Sequence, residues 1–351
     1  MKFLGRKRIR LVALGMAIAA VLGGSGIATA YADNPAASRD QSDVQPNMIG
    51  GTAPTQAYPS GAFVNLNYDA PAHGVTDWFT CGATMISGNT LVTSAHCVTD
   101  PPAPVGSKKL AKILARFPDI QMQVQAQAKG QTKALPIPTK DKEFFVRAGS
   151  QDRTAGVRAN AYVVWVHPNW DWAEDPNPDD GVTDEVDDIA VVKLDQSLDI
   201  QPVPLGAGPL KPGQEGFGLG WGLINPDWSE SIPTMIQEMR SKVIPTARCA
   251  DALITKRDLC VNNPFGTDGP CSGDSGGPFL AYDEHGVLRL YGNLSRFYGP
   301  DYCGESPYVY TSTSEFRTEI YAAARLPLPT QRKAEPELTY TQPYEPPNPR
   351  K

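Results

Sequence analysis

The sequence predicts an all-β fold: two packed antiparallel β-barrels with a C-terminal helix. From residue 60 on, short runs rich in Val, Ile, Tyr and Phe alternate with clusters of Gly, Pro, Asn and Asp, the pattern of many short strands joined by tight turns. The 351-residue chain leaves room for two such barrels. Residues 199–210, rich in Pro and Gly, read as the connection between them.

Taken in order, strands are expected at Ala62–Asn67, Thr90–Ser94, Glu143–Ala148 and Tyr162–Val166, then at Ile189–Leu194, Phe279–Tyr282 and Val287–Leu294. The Ala-rich segment Glu315–Arg325 reads as the helix. This divides the core into a first barrel over about 48–200 and a second over about 206–325. Two inserts interrupt the pattern. Residues 101–142 contain Leu110, Ile113 and Leu114 at helical spacing, followed by a glutamine-rich stretch, and read as a surface loop with a short helix. Residues 171–188 are acidic, and 175–181 approach a calcium loop. The glycine is one place late, however, and the twelfth position is Val186, so a solvated acidic loop is the default.

Residues 1–32 read as a secretory signal. A basic start (Lys2, Arg6, Lys7, Arg8, Arg10) precedes an apolar stretch from Leu11 to Ala28, with small-residue cleavage sites after Ala30 or Ala32. The expected location is therefore extracellular, with no membrane association once the signal is removed. Residues 33–47 are polar and core-free and read as a propeptide. The last segment, 326–351, holds seven prolines and is expected to be extended or disordered. Without the five basic residues of the signal, 27 Lys and Arg stand against 38 Asp and Glu, a net charge of −11. Nucleic acid is a poor partner for such a surface. The six cysteines all follow the signal and allow fifteen pairings by spacing alone. None has CxxC spacing and the histidines are scattered, so neither a metal nor any other cofactor is expected.

The chemistry is concentrated at 269–278, Gly-Pro-Cys-Ser-Gly-Asp-Ser-Gly-Gly-Pro. A serine between glycines is a hydroxyl presented on a tight turn, and the N–H groups of Gly273 and Ser275 can aim at one point, where an oxyanion would be stabilised. Ser275 needs a base and an orienting acid. His96 ends the apolar run Leu-Val-Thr-Ser-Ala-His-Cys, and Asp188 opens the apolar run Asp-Ile-Ala-Val-Val-Lys-Leu. Asp187 competes for the acid's role but is expected to face water; His73 and His167 are expected to be exposed. The loose G-x-S-x-G pattern of α/β-hydrolases wants a histidine well after the serine, and only His285, ten residues on, follows Ser275.

In that order, Thr-Ser-Ala-His-Cys, Asp-Ile-Ala-Val-Val-Lys-Leu and Gly-Asp-Ser-Gly-Gly-Pro resemble the chymotrypsin-like serine peptidases, as do Gly220-Trp-Gly and Met48-Ile-Gly-Gly. The resemblance covers roughly 48–325, and the signal and Ala/Pro-rich style suggest a bacterial member. It implies a secreted endopeptidase with its active site between the barrels: His96, Asp188 and Ser275 as the triad, Gly273 and Ser275 as the oxyanion hole, and Ser295 beside the acid. It selects the disulfides Cys81–Cys97, Cys249–Cys260 and Cys271–Cys303. It also implies a zymogen, activated when another protease cuts before Met48 and the new ammonium pairs with Asp274. Met in place of Ile or Val, after a non-basic residue, departs from the family pattern.

The specificity pocket departs further. Gly269 stands where the pocket base is expected, with Asp268 one place earlier. Arg296 and Phe297 follow Ser295 where an aromatic and a glycine are usual, and Tyr308 replaces a common glycine. Preference for small or medium side chains, or for Arg and Lys through Asp268, both remain open. Besides a peptidase acting on protein or peptide substrates, a non-enzymatic binding protein with a closed pocket and an esterase or amidase are the alternatives.

Overall fold

The computed structural model describes residues 48–101, 137–170, 172, 186–224, 232–264, 266, 268–297, 303–325 and 339–340. The signal, the propeptide, most of both inserts (with the short helix and the near-calcium loop) and nearly all of the tail lie outside the described residues.

The first barrel is built from β1 (Val64–Ala70), β2 (Val75–Ser87), β3 (Thr90–Thr93), β4 (Glu143–Ala148), β5 (Val157–Val166) and β6 (Ala190–Leu194). They run β5-β4-β1-β2-β3-β6, and pairing of β5 with β6 closes the ring. Strand alternation explains its interior. Val64, Leu66 and Tyr68 point one way into the core with Phe144, Val146 and Val192. Asn65 and Asn67 point the other way, also buried, and Asn67 donates to the Asn65 side chain at 2.6 Å.

The second barrel holds β7 (Glu215–Gly220), β8 (Gln237–Ile244), β9 (Asp258–Val261), β10 (Pro278–Tyr282), β11 (Leu288–Phe297) and β12 (Tyr308–Ser312), closed in the order β10-β11-β12-β9-β8-β7. β7 reads Glu-Gly-Phe-Gly-Leu-Gly, which the sequence pattern does not single out as a strand. Its Gly216 sits so close to the Phe279 ring that a Cβ would lie 2.6 Å from it. The barrels share a cluster in which Phe63, Phe79, Trp165 and Val191 of the first meet Leu219, Trp221, Leu280 and Leu290 of the second. The helix α1 (Arg317–Ala324) adds Ile320 and Ala323 to the same cluster. Lys193 on β6 donates to the Ala324 carbonyl at 2.6 Å, satisfying an orphan acceptor at the end of α1. In the tail, β13 (Thr339–Tyr340) pairs parallel with β5.

Register determines what meets at the cleft. β3 and β6 are antiparallel with Thr93 opposite Ala190, so the residues just after β3 and just before β6 emerge at the same end. Pro278 of β10 pairs with Asn293 of β11, bringing the 271–277 loop alongside Ser295.

Candidate active site

His96 lies in a 3-10 turn, Ala95–Cys97, directly after β3. The Cys81–Cys97 disulfide ties that turn to β2. Asp188 precedes β6, and the two side chains are fully buried against each other. The Asp188 carboxylate receives three donors. The His96 backbone N–H reaches Oδ1 at 3.0 Å, while His96 Nδ1 and Ser295 Oγ both reach Oδ2 at 2.7 Å. With Nδ1–H donating to the carboxylate, the neutral imidazole presents the lone pair of Nε2 on its other side. Asn293 steadies the acid's main chain, donating to the Asp188 carbonyl at 3.2 Å and to Ser94 Oγ at 2.7 Å. Asn293, Leu294 and Ser295 form a glycosylation sequon by sequence, but the asparagine is buried within β11.

Ser275 sits between Gly273 (φ +99°) and Gly276 (φ +72°), in a backbone that side-chain-bearing residues rarely adopt. Asp274 turns inward and accepts from the N–H groups of Gly222 (2.7 Å) and Cys271 (2.9 Å). The loop is stitched to both barrels: the Ser275 carbonyl accepts from Gly82 N–H at 2.7 Å, and Gly276 N–H donates to Leu294 O at 2.8 Å. Ser275 Oγ is buried and makes no hydrogen bond to the protein. An uncommitted buried hydroxyl is an exception that calls for an explanation.

Trp170 and Trp172, which sequence reasoning passed over, flank the imidazole with ring centroids 6.5 and 6.4 Å away. The only signal was a Trp-Asp-Trp at the head of the acidic insert. Asp100 Oδ1 accepts from the backbone N–H of Thr139 at 2.8 Å, pinning together the two ends of the longer insert three residues beyond Cys97.

The residues assigned to the specificity pocket separate. Tyr308 is fully buried, with its ring against Gly269, where a Cβ would lie 2.2 Å from the ring. Its Oη accepts from Gly304 N–H at 2.5 Å, and Phe297 packs edge-on at 5.7 Å. Asp268 precedes Gly269 and is also buried. It packs against Gly50 and lines a cavity of about 620 Å³ with Thr52, Thr55 and Glu238. Met48 is buried, its methyl beside Gly218 on β7, and Ile49 bridges to Gly269. The disulfides are Cys81–Cys97, Cys249–Cys260 and Cys271–Cys303. Cys81, His96 and Cys97 lie close together, but both sulfurs are in the disulfide and offer no thiolate to a metal.

Two expectations are corrected. Asp187 does not face water: it is fully buried, and Arg257, seventy residues away, donates to it at 3.2 Å. His167 is not exposed either, at 5%. Its Nδ1 lies 3.2 Å from Asp187 Oδ2, and its ring packs on Phe316 at 5.1 Å. The reason is the shared one of a long-range partner that the local sequence does not announce. His73 is half-buried, with Nε2 3.0 Å from Asp141.

Burial, with the Arg257 charge beside it, pulls the His167 imidazole down to about 4. The unfolded chain takes up this proton near pH 6.5, and the folded one only near pH 4. Stability from this group is therefore full above pH 6.5 and is lost as pH falls toward 4. Thermal melts across that window should show a shallower decline for His167→Gln than for the wild type; parallel declines would contradict this.

The family model "Trypsin" matches residues 139–320, just over half of the sequence. The chain belongs to the trypsin family. Mouse kallikrein-1 is 28% identical over 251 residues, covering 69% of this chain and 79% of that protein. Mouse kallikrein 1-related peptidase b27 is 25% identical over 286 residues, covering 78% and 92%. A third relative, mouse epidermal growth factor-binding protein type B, is 25% identical over 251 residues, covering 68% and 78%. These relatives support protease function at the level of the family and give no support to a bacterial source. The two closed barrels with one closing helix agree with this membership. Among the described residues, no helix is long and apolar enough to cross a membrane.

Proposed function

We propose that this protein is a secreted serine endopeptidase whose nucleophile is Ser275. The observation that carries the reading is the His96–Asp188 couple, a buried imidazole whose Nδ1 proton is committed to a carboxylate that is itself held by two further donors. That arrangement leaves Nε2 as the base. Ser275 Oγ attacks the scissile carbonyl and passes its proton to Nε2, and the N–H groups of Gly273 and Ser275 receive the oxyanion. His96 then protonates the leaving amine, and water repeats the cycle on the acyl-enzyme. Each oxyanion donor is worth about 2.7–4 kcal/mol of barrier. Disulfides in all three pairs favour an oxidising, extracellular setting.

Activation is a cut between Asn47 and Met48 by another protease. Met48 is already buried beside β7, the strand that ends at Gly220 against Asp274, and the new ammonium would turn toward that carboxylate.

Tyr308 sets the specificity. Because it fills the space above Gly269, the substrate residue before the scissile bond is small: Gly, Ala or Ser. Excess side-chain size is penalised by about 1–3 kcal/mol per methylene. Cleavage after Ala is therefore expected to exceed cleavage after Leu or Phe by at least roughly tenfold, and Tyr308→Gly to reverse the order. Equal cleavage after Ala and Phe by the wild type would contradict this. The same filled pocket is what favours the second reading, a binding protein of little activity. Peptide-library profiling of the form starting at Met48, beside Ser275→Ala, decides between them, with small esters as a third arm for the esterase alternative. Peptide cleavage lost only in the alanine variant supports the peptidase; equal inertness of both forms defeats it.

A further inference from the structure

Arg296 follows Ser295 on β11 and is 1% exposed. Its guanidinium makes no contact with solvent and is held on four sides. Nε donates to Ala252 O at 2.8 Å, and Nη2 donates to Leu253 O at 2.6 Å and to Asp258 Oδ2 at 2.7 Å. Nη1 donates to Ser295 Oγ at 2.9 Å. The cradle comes from two pieces of chain that one disulfide joins. Ala252 ends the 3-10 segment containing Cys249, and Asp258 opens the strand containing Cys260.

Donor chemistry gives this arrangement a consequence. A guanidinium has no lone pair to offer, so Ser295 Oγ can only accept from Nη1. The single proton of that hydroxyl is then left for Asp188 Oδ2, 2.7 Å away. Donation into the oxygen also polarises the O–H and strengthens the bond it makes. A buried ion pair is weak evidence for stability, since apolar residues of similar volume often serve as well. We infer that Arg296, anchored by Asp258, is a positioning residue: through the Ser295 hydroxyl it locks the Asp188 carboxylate in the orientation that holds His96. This rests on the peptidase reading and adds to it a buried cation two bonds removed from the acid.

Removing Arg296 alone would strand the Asp258 charge, so the test replaces both partners, Arg296→Met with Asp258→Leu, in the purified protein. Two readouts are used: steady-state kinetics, and the low-field proton NMR signal of the His96 Nδ1–H···Asp188 bond. The expected result is a fall in kcat of roughly tenfold with KM held within about twofold, and a shift of the low-field signal. In a Ser295→Ala background the same pair of changes should add no more than about twofold and leave the signal where that background puts it. Arg296→Lys, which keeps a donor and a charge, should retain more of kcat than the apolar pair, and it carries the same comparison if the apolar pair does not fold. An unchanged kcat and signal, or equal losses with and without the Ser295 hydroxyl, would overturn the inference. If the wild type neither hydrolyses peptides nor reacts with a fluorophosphonate, the peptidase reading fails, while the NMR arm still decides whether Arg296 acts on the His96–Asp188 bond.

Discussion

Ser275→Ala is expected to lower kcat by about 10⁶-fold, the scale on which losing the nucleophile of a triad removes the whole unit. The same change is expected to leave the fold untouched and to raise stability slightly. Ser275 Oγ is buried without a hydrogen bond, so its removal orphans no partner and relieves an unsatisfied group, an effect of up to about 1–3 kcal/mol. The turn itself is held by backbone bonds from Gly82 and Gly276 and by the Asp274 carboxylate, none of which involves the hydroxyl. Activity and melting temperature should thus move in opposite directions. Peptide turnover and a thermal melt on one preparation check this. Retained turnover, or a melting temperature several degrees lower, would contradict it.

Asp188→Asn is expected to cost about 10⁴-fold in kcat with little change in KM. The size follows from the donors around the carboxylate. Oδ1 faces the His96 backbone N–H, which cannot turn away, so the amide oxygen must take that place. The amide NH₂ then occupies the site of Oδ2, facing His96 Nδ1 and Ser295 Oγ. To accept from it, the imidazole must move its proton to Nε2, and a protonated Nε2 cannot take a proton from Ser275. The Ser295 hydroxyl loses its acceptor as well, and the Arg296 donor already opposite it leaves it nowhere favourable to turn. Kinetics at a pH where wild-type activity is maximal would show the loss. A variant within tenfold of wild type would mean that the imidazole tautomer is not set by Asp188.

Much of this was written in the chain locally. The strands at Glu143–Ala148 and Ile189–Leu194 announce themselves by short runs rich in Phe, Val and Ile, and the glycines around Ser275 announce a turn before any partner is known. β7 was not legible, because alternate glycines look like loop until the Phe279 ring occupies the space that they leave. The burial of Asp187 was not legible either. An acid next to another acid reads as surface, and Arg257 and His167, neither of them adjacent in the chain, help to make the interior tolerable. Arg296 was visible as an oddity where an aromatic is usual, but its inward turn depends on carbonyls at Ala252 and Leu253 and on Asp258, which no local pattern connects to it. Tyr308 could be named as a pocket residue; that its ring lies on Gly269 instead of swinging out follows from the Gly304 N–H that holds its hydroxyl. For β7, Asp187 and Arg296 the missing information was a partner distant in sequence.

The most direct test of the central claim, that a buried imidazole–carboxylate couple makes the Ser275 hydroxyl nucleophilic, is reaction with a fluorophosphonate followed by mapping of the adduct by mass spectrometry, on protein beginning at Met48. The account predicts one adduct per molecule, on Ser275, and its disappearance in His96→Ala. A folded protein with all three disulfides intact and no adduct at Ser275, or one labelled equally well without His96, would contradict it.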